Sequence, residues 1–443
     1  MMPKTKEEIL KFVKSHKIKN IQLWFTDILG TLKCCSITSD ELPAALNQGK
    51  GFDGSSITGF TEAEESDILA KPDPSTFQLI PWEDEKEPVG RMFCDILNPD
   101  QTPYPGDPRY ALKRNLERMK KMGFSYYYVG PELEYFYFKS HDKREILDEG
   151  HYFDLIPNDL ANTIRKKTVK TLESFGIEVE ASHHEGAPSQ HEIDLKYQNA
   201  LDMADAVMTS RFVVKEIAQQ NGVYATFVPK PIFGVNGSGM HTHQSLFKGK
   251  KNTFFKKEDK YGLSAVAKQF IAGQLRHARE TCAITAQWVN SYKRLVPGYE
   301  APVYISWAQR NRTALIRVPM YRPGNEQATR AEIRCPDPAC NPYLAFSVMV
   351  AAGLEGIEKR YKLPEPVEPN IYKMEMDERE QKGLKSLPVN LFEAIKETEK
   401  SELVRSALGE HIFTRFLHNK NKEWEEDRIQ VTSHELKRLL PNF

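Results

Sequence analysis

Residues 130–138 read GPELEYFYF, an aromatic run carrying two carboxylates, Glu132 and Glu134, set two positions apart. Aromatic side chains favour extended backbone, and the two-residue period of a strand puts Glu132, Glu134, Phe136 and Phe138 on one face. Like charges crowded beside aromatic rings repel each other and lose hydration, so this face calls for cations. A solvated strand end is the plainer alternative.

Around this strand, extended runs at 126–129, 133–138, 177–181, 191–197, 223–228, 301–307 and 313–318 alternate irregularly with helical runs near 159–175, 199–221, 263–290 and 342–360. Lacking a regular strand–helix–strand repeat, the pattern predicts a largely antiparallel α+β domain. Upstream, NPDQTPYPGDP (98–108) holds four prolines, which remove backbone donors and interrupt regular structure. A domain boundary is expected there, dividing the chain into 1–104 and 105–443. Asp107 and Pro108 then suit a helix start, and Gly123 its end. In the first part, Thr5 and Glu8 form a capping-box pattern ahead of a short helix. Alternation over Ile21, Leu23 and Phe25, a turn at Asp27 to Gly30, and a return through Leu32 and Ile37 predict paired strands. Downstream, YKLPEPVEPN (361–370) breaks the chain before a charged helical tail.

The 443 residues allow two or three domains, and 61 Lys plus Arg balance 61 Asp plus Glu. No net field draws such a chain to nucleic acid or to an anionic membrane, so small molecules are the expected partners. The opening MMPKTKEEILKFVKSHK lacks a signal-peptide core, and no stretch approaches the roughly 18 apolar residues of a bilayer span. A cytoplasmic location is expected. Six cysteines without CxxC spacing read as reduced thiols.

Three further segments carry chemistry. HHEGAPSQHEIDLKY brings Glu185 and Glu192 to either side of a turn. NGSGMHTHQSL places His241 and His243 beside small glycines and ahead of a strand, which is not a dinucleotide fingerprint. Arginines gather at Arg294, Arg310, Arg312, Arg317, Arg330 and Arg334, with Glu332 between the last two. Arginine forks bind phosphate and carboxylate, although surface ion pairing is the common alternative. Five glutamates and a histidine form an oxygen-rich set suited to Mg²⁺ or Mn²⁺. Metals facing arginines suit phosphoryl transfer, yet no Walker loop or kinase signature is present.

The segments FDGSSI (52–57), GPELEYF, HHEGAPSQHEID, NGSGMHTHQS, NSYKRLVPGYEAP, RNR with IRVP, and AEIRCPDPACNPYLA occur in this order. Together they resemble the type I class of the glutamine synthetase family. The resemblance implies an N-terminal β-grasp domain, a catalytic domain with a curved antiparallel sheet, and a dodecamer of two hexameric rings with active sites between subunits. It implies ATP-dependent ligation of ammonium to the γ-carboxylate of L-glutamate through γ-glutamyl phosphate, in nitrogen assimilation, with two or more Mg²⁺ or Mn²⁺ ions.

Carried over by motif, Glu134, Glu185 and Glu192 would ligate one metal, and Glu132, His241 and Glu332 another. Asn236, Gly237, Arg294, Glu300, Arg312 and Arg334 match glutamate-binding positions. Glu180, Tyr197, His243, Ser245, Arg312, Arg317 and Arg330 match nucleotide positions. Asp53, from a neighbouring subunit, matches the ammonium-binding base, Glu300 a closing flap, and Arg317 and Arg334 the groups that meet the transferring phosphoryl. A relative that couples glutamate to an organic amine, or a silent oligomer of the same fold, are the alternatives. Tyr372 lies near a modified tyrosine of the longer form but reads as structural. Glu62 stands where feedback-inhibited members carry arginine, leaving 2-oxoglutarate activation or a PII-type partner as regulatory expectations.

Overall fold

The structure, a computed structural model, describes residues 2–60, 67–157, 159–320 and 323–443, and the backbone alone at Met376. The Glu62 position therefore lies outside the described residues. The helix Lys6–Ser15 opens with a complete Thr5–Glu8 capping box and buries Ile9 and Val13. They pack on a six-stranded sheet ordered Leu32–Thr38, Asn20–Thr26, Val89–Leu97, Asp67–Pro72 and Lys50–Asp53, with Gln78–Leu79 beside Val89–Leu97. Asn20–Thr26 runs parallel to Val89–Leu97 while the other pairs are antiparallel. This is the N-terminal β-grasp unit of an α+β fold.

Asp107 caps the helix Pro108–Lys121 through the Arg109 N–H (2.9 Å) and also accepts from Ile96 N–H (3.0 Å). Buried Arg109 reaches Asp73 at 2.8 Å, Asp95 at 2.5 Å and Asp205 at 3.0 Å. One guanidinium thereby joins the small sheet to the helix Ala200–Gln220.

The second sheet is larger and curved. Its main order is Tyr304–Ala308, Ala314–Arg317, Ala331–Ile333, Thr242–Lys248, Tyr126–Phe138, Gln190–Leu195 and Val179–His184. All these pairs are antiparallel except the first, which is parallel. The two runs expected at 126–129 and 133–138 are one strand, Tyr126–Phe138. Gly130 and Pro131 do not end it because its partners change there. Residues 126–131 pair with Thr242–Lys248, and residues 132–136 pair on the other edge with Gln190–Leu195. Proline is tolerated at such a change of partners.

The helical run expected at 263–290 is divided into Ala265–Arg276 and Ala278–Thr285, with His277 between them. Ala265–Arg276 packs on the almost wholly buried helix Pro342–Glu358. A Cβ on Gly273 would stand 2.1 Å from Ala352 O, so the close crossing requires glycine. No helix among the described residues is long and apolar enough to cross a membrane. All six cysteines are free.

Candidate active site

Strand register builds the site in rows. Glu134 lies opposite Glu192, which lies opposite His183 on the next strand, and Glu132 lies opposite Asp194. Glu185 follows the Val179–His184 strand at the turn into Gln190–Leu195. Oxygens of Glu134, Glu185 and Glu192 lie within 4.8 Å of one another. Glu132, His241 and Glu332 offer a second set within the same limit. Room for both comes partly from Gly239, where a Cβ would sit 2.5 Å from Arg294 Nη2 and 2.8 Å from His241 Nε2.

Electrostatics separate the clusters. Burial, reinforced by Glu185, pushes Glu134 up to about 8 despite Arg294. Burial likewise raises Glu185 to about 7, with Glu300 adding to the rise against the Gly186 N–H. Glu192 is driven well above the carboxylate range by burial and by Glu134. Glu132 behaves oppositely: against its burial, hydrogen bonds from His241 (3.1 Å) and His243 (2.9 Å) hold it well below. Burial and Arg334 lower His241 to about 4, leaving a neutral imidazole at neutral pH.

Buried carboxylates that retain protons for want of a counter-charge fit a divalent cation, and an oxygen-rich donor set with one imidazole favours Mg²⁺ or Mn²⁺. At the second cluster Glu332 is clamped by two guanidinium groups, Arg317 Nε on one oxygen and Arg334 Nη1 on the other, each at 2.5 Å.

A cleft of about 770 Å³ opens beside the second cluster, lined among others by Glu132, Glu180, Tyr197, His243, Ser245, Arg310, Arg317 and Arg330. Six of the seven residues expected at the nucleotide are thus together. Arg312 does not line this cleft; its charge acts on Tyr152 and Glu185 instead. Arg330 Nε donates to His243 Nδ1 at 3.1 Å. Since that nitrogen accepts, His243 donates through Nε2 to Glu132.

Of the residues expected at glutamate, Asn236, Gly237, Arg294, Glu300 and Arg312 lie toward the first cluster, while Arg334 is held on Glu332 of the second. Asn236 Nδ2 approaches Glu300 Oε2 at 3.5 Å, and Glu300 holds a left-handed φ of 59°. Arg294 is buried and donates to the carbonyls of Arg334, Cys335 and Pro336 at 2.8–3.2 Å. A Cβ on Gly237 would stand 3.1 Å from the Arg294 side chain. Asp53 is exposed on the edge strand of the small sheet, where it accepts from Ser55 and Ser56 and lines no part of the cleft. The Tyr372 hydroxyl donates to Ala301 O.

Two family profiles cover most of the chain: the glutamine synthetase beta-grasp domain over residues 17–99 and the glutamine synthetase catalytic domain over 105–439. The chain belongs to the glutamine synthetase family. It is an enzyme of that family, a ligase. A glutamine synthetase of Mycolicibacterium smegmatis is 50% identical over 445 residues, covering 99% of this chain and 100% of that one. One from Methanosarcina mazei is 50% identical over 440 residues, covering 98% of each. Among solved structures, a GmaS/ADP complex is similar with a TM-score of 0.88 at 29% identity, covering 98% of this chain and 99% of that chain.

Several residues that touch the candidate site were missed in the sequence. Gln190, fully buried, donates to Glu134 Oε2 (2.9 Å) and to Gly237 O (3.2 Å). His183 stands 3.1 Å from Glu192 Oε1, and Asp194 lines the cleft. The signal was their density: SHHEGAPSQHEID packs seven hydrogen-bonding or ionisable side chains around Glu185 and Glu192.

Proposed function

We propose that this chain ligates ammonia to the γ-carboxylate of L-glutamate at the expense of ATP, giving L-glutamine, ADP and phosphate. The observation that carries this reading is the junction of the two carboxylate clusters, which meet where His241 stands between Glu132 and Glu134, with an arginine-lined cleft that opens at Glu132. Glutamate would lie toward Asn236, Gly237, Arg294, Glu300 and Arg312. The nucleotide would fill the cleft, its base beside Tyr197 and Arg330 and its phosphates toward His243, Ser245 and Arg317.

Glu134, Glu185 and Glu192 would hold one Mg²⁺ or Mn²⁺, and Glu132, His241 and Glu332 a second. When bound, these ions neutralise phosphate charge and orient the carboxylate. In the first step an oxygen of the glutamate γ-carboxylate attacks the terminal phosphorus of ATP, and the bond to ADP breaks. Arg317 and Arg334, aligned on Glu332, face the oxygens on which charge accumulates. In the second, ammonia attacks the acyl carbon and phosphate leaves. Ammonium must first lose a proton, for which Asp53 of a neighbouring copy is the acceptor; Glu300 closes over the acyl phosphate to exclude water and takes the second proton, which the nitrogen sheds as the C–N bond forms.

This assigns the chain to the short type I form, a dodecamer of two hexameric rings working in the cytoplasm in nitrogen assimilation, with a PII-type protein as a candidate regulator. The exposed, edge-strand location of Asp53 supports completion of each site by a second copy. Amine choice tests the reaction: ADP release with glutamate should require ammonium, and activity with methylamine or a polyamine but none with ammonium would refute it.

A further inference from the structure

Behind the carboxylate row lies a second row that the proposed chemistry does not use. His184 and His191 are paired across the two strands immediately before Glu185 and Glu192, and both rings are buried. Asp148, from the loop after Tyr126–Phe138, reaches His184 Nε2 at 2.6 Å and His191 Nε2 at 3.3 Å. Arg165 Nη1 donates to His191 Nδ1 at 2.8 Å, so His191 must donate from Nε2 to Asp148. His184 Nδ1 faces Glu185 O at 2.7 Å.

The same aspartate holds the turn between the strands. Ser189 N–H donates to Asp148 Oδ1 at 3.2 Å, and Ser189 Oγ accepts from the Leu147 and Asp148 N–H groups at 2.6 and 2.9 Å. Ser189 adopts a left-handed φ of 61°. Asp148 is thus bonded to both strands and to the turn that bring Glu185 and Glu192 to Glu134.

We infer that Asp148 is a positioning residue, acting through His184 and His191 to fix the spacing of Glu185 and Glu192 as metal ligands. The inference rests on the assignment of Glu134, Glu185 and Glu192 to one cation. Both oxygens of Asp148 are engaged, Oδ1 by His184 and Ser189 and Oδ2 by His191: its role is to stop the hairpin from widening. Partners that hydrogen-bond a ligand directly are worth about 10–100-fold in metal affinity, and Asp148 acts one residue further out, through the neighbours of the ligands.

Mn²⁺ binding to the full-length protein, followed by electron paramagnetic resonance without substrate, tests it. Wild type should show two classes of site, and Glu192→Gln should abolish the one assigned to the first cluster. Asp148→Ala should weaken that class by about tenfold, the lower end of what a direct partner of a ligand is worth, and leave the other unchanged. Asp148→Asn, which preserves shape and one acceptor, should weaken it less and serves if the alanine variant does not fold. Unchanged Mn²⁺ affinity in both variants, or in the asparagine variant when alanine does not fold, would overturn the positioning role. An unchanged signal in Glu192→Gln would instead overturn the ligand assignment beneath it.

Discussion

Glu134 and Glu192 are direct cross-strand partners, two buried carboxyl groups placed opposite each other in adjacent antiparallel strands. Like charges so placed are destabilising unless protonated or neutralised by a cation. A stability cost at this point of the sheet is what a cation site would relieve.

The pH dependence of stability follows from that pair. A carboxyl with a higher pKa folded than unfolded keeps its proton in the native state after the unfolded chain has lost it. Stability then falls as pH rises from the unfolded value through the folded one. For Glu134 and Glu185 the windows end at about 8 and about 7. Metal-free protein should therefore melt at lower temperature as pH rises from about 5 to about 8, and Glu134→Gln should flatten the slope. Mn²⁺ added to unbuffered protein near neutrality should release protons, since ligating carboxylates must ionise. A flat melting profile in metal-free wild type would contradict this.

Arg317 and Arg334 hold the same carboxylate, but Arg334 is buried and Arg317 is 25% exposed at its side chain. Arg317→Ala leaves Glu332 paired with Arg334 but strips the donor from one oxygen of a wholly buried carboxylate, so stability should fall by about 1–3 kcal/mol. Its kcat should fall by about 100-fold or more if it stabilises charge in the transition state. Chemical denaturation and steady-state kinetics on one preparation separate the effects.

Tyr197 is 55% exposed and stands at the wall of the cleft, in edge contact with Tyr128 at 5.5 Å. Aromatic stacking on a nucleobase is worth about 1–3 kcal/mol, so Tyr197→Ala should raise the KM for ATP roughly tenfold or more. The KM for glutamate should stay near wild type. Equal changes in both would remove Tyr197 from the base.

Asp53→Ala should impair ammonium use more than acyl-phosphate formation. Comparing steady-state glutamine synthesis with single-turnover ADP formation in the absence of ammonium checks this. Equal losses would contradict its assignment as base.

The paired glutamates of GPELEYFYF were legible because strand period alone places them on one face. The ion-binding row was legible in composition, but its closure was not: Glu192 meets Glu134 through a register fixed by backbone pairing, which no local pattern encodes. That 126–129 and 133–138 belong to one strand was not legible, because the exchange of partners that makes the missing N–H of Pro131 harmless exists only in the folded sheet. The break at His277 was hidden because GQLRHARETC (273–282) carries no proline and no glycine at the break itself, and helix continuity there depends on tertiary packing. Gln190 and Asp148 escaped notice because each acts by touching another side chain, and those contacts exist only in the folded chain.

Oxygen transfer tests the central reaction most directly. Glutamate labelled with ¹⁸O in its γ-carboxylate, supplied with ATP, Mg²⁺ and ammonium, should pass one labelled oxygen into each phosphate released. That oxygen attacks phosphorus first and departs with it when ammonia takes its place on carbon. Phosphate free of label, with glutamine formed, would contradict an acyl-phosphate route.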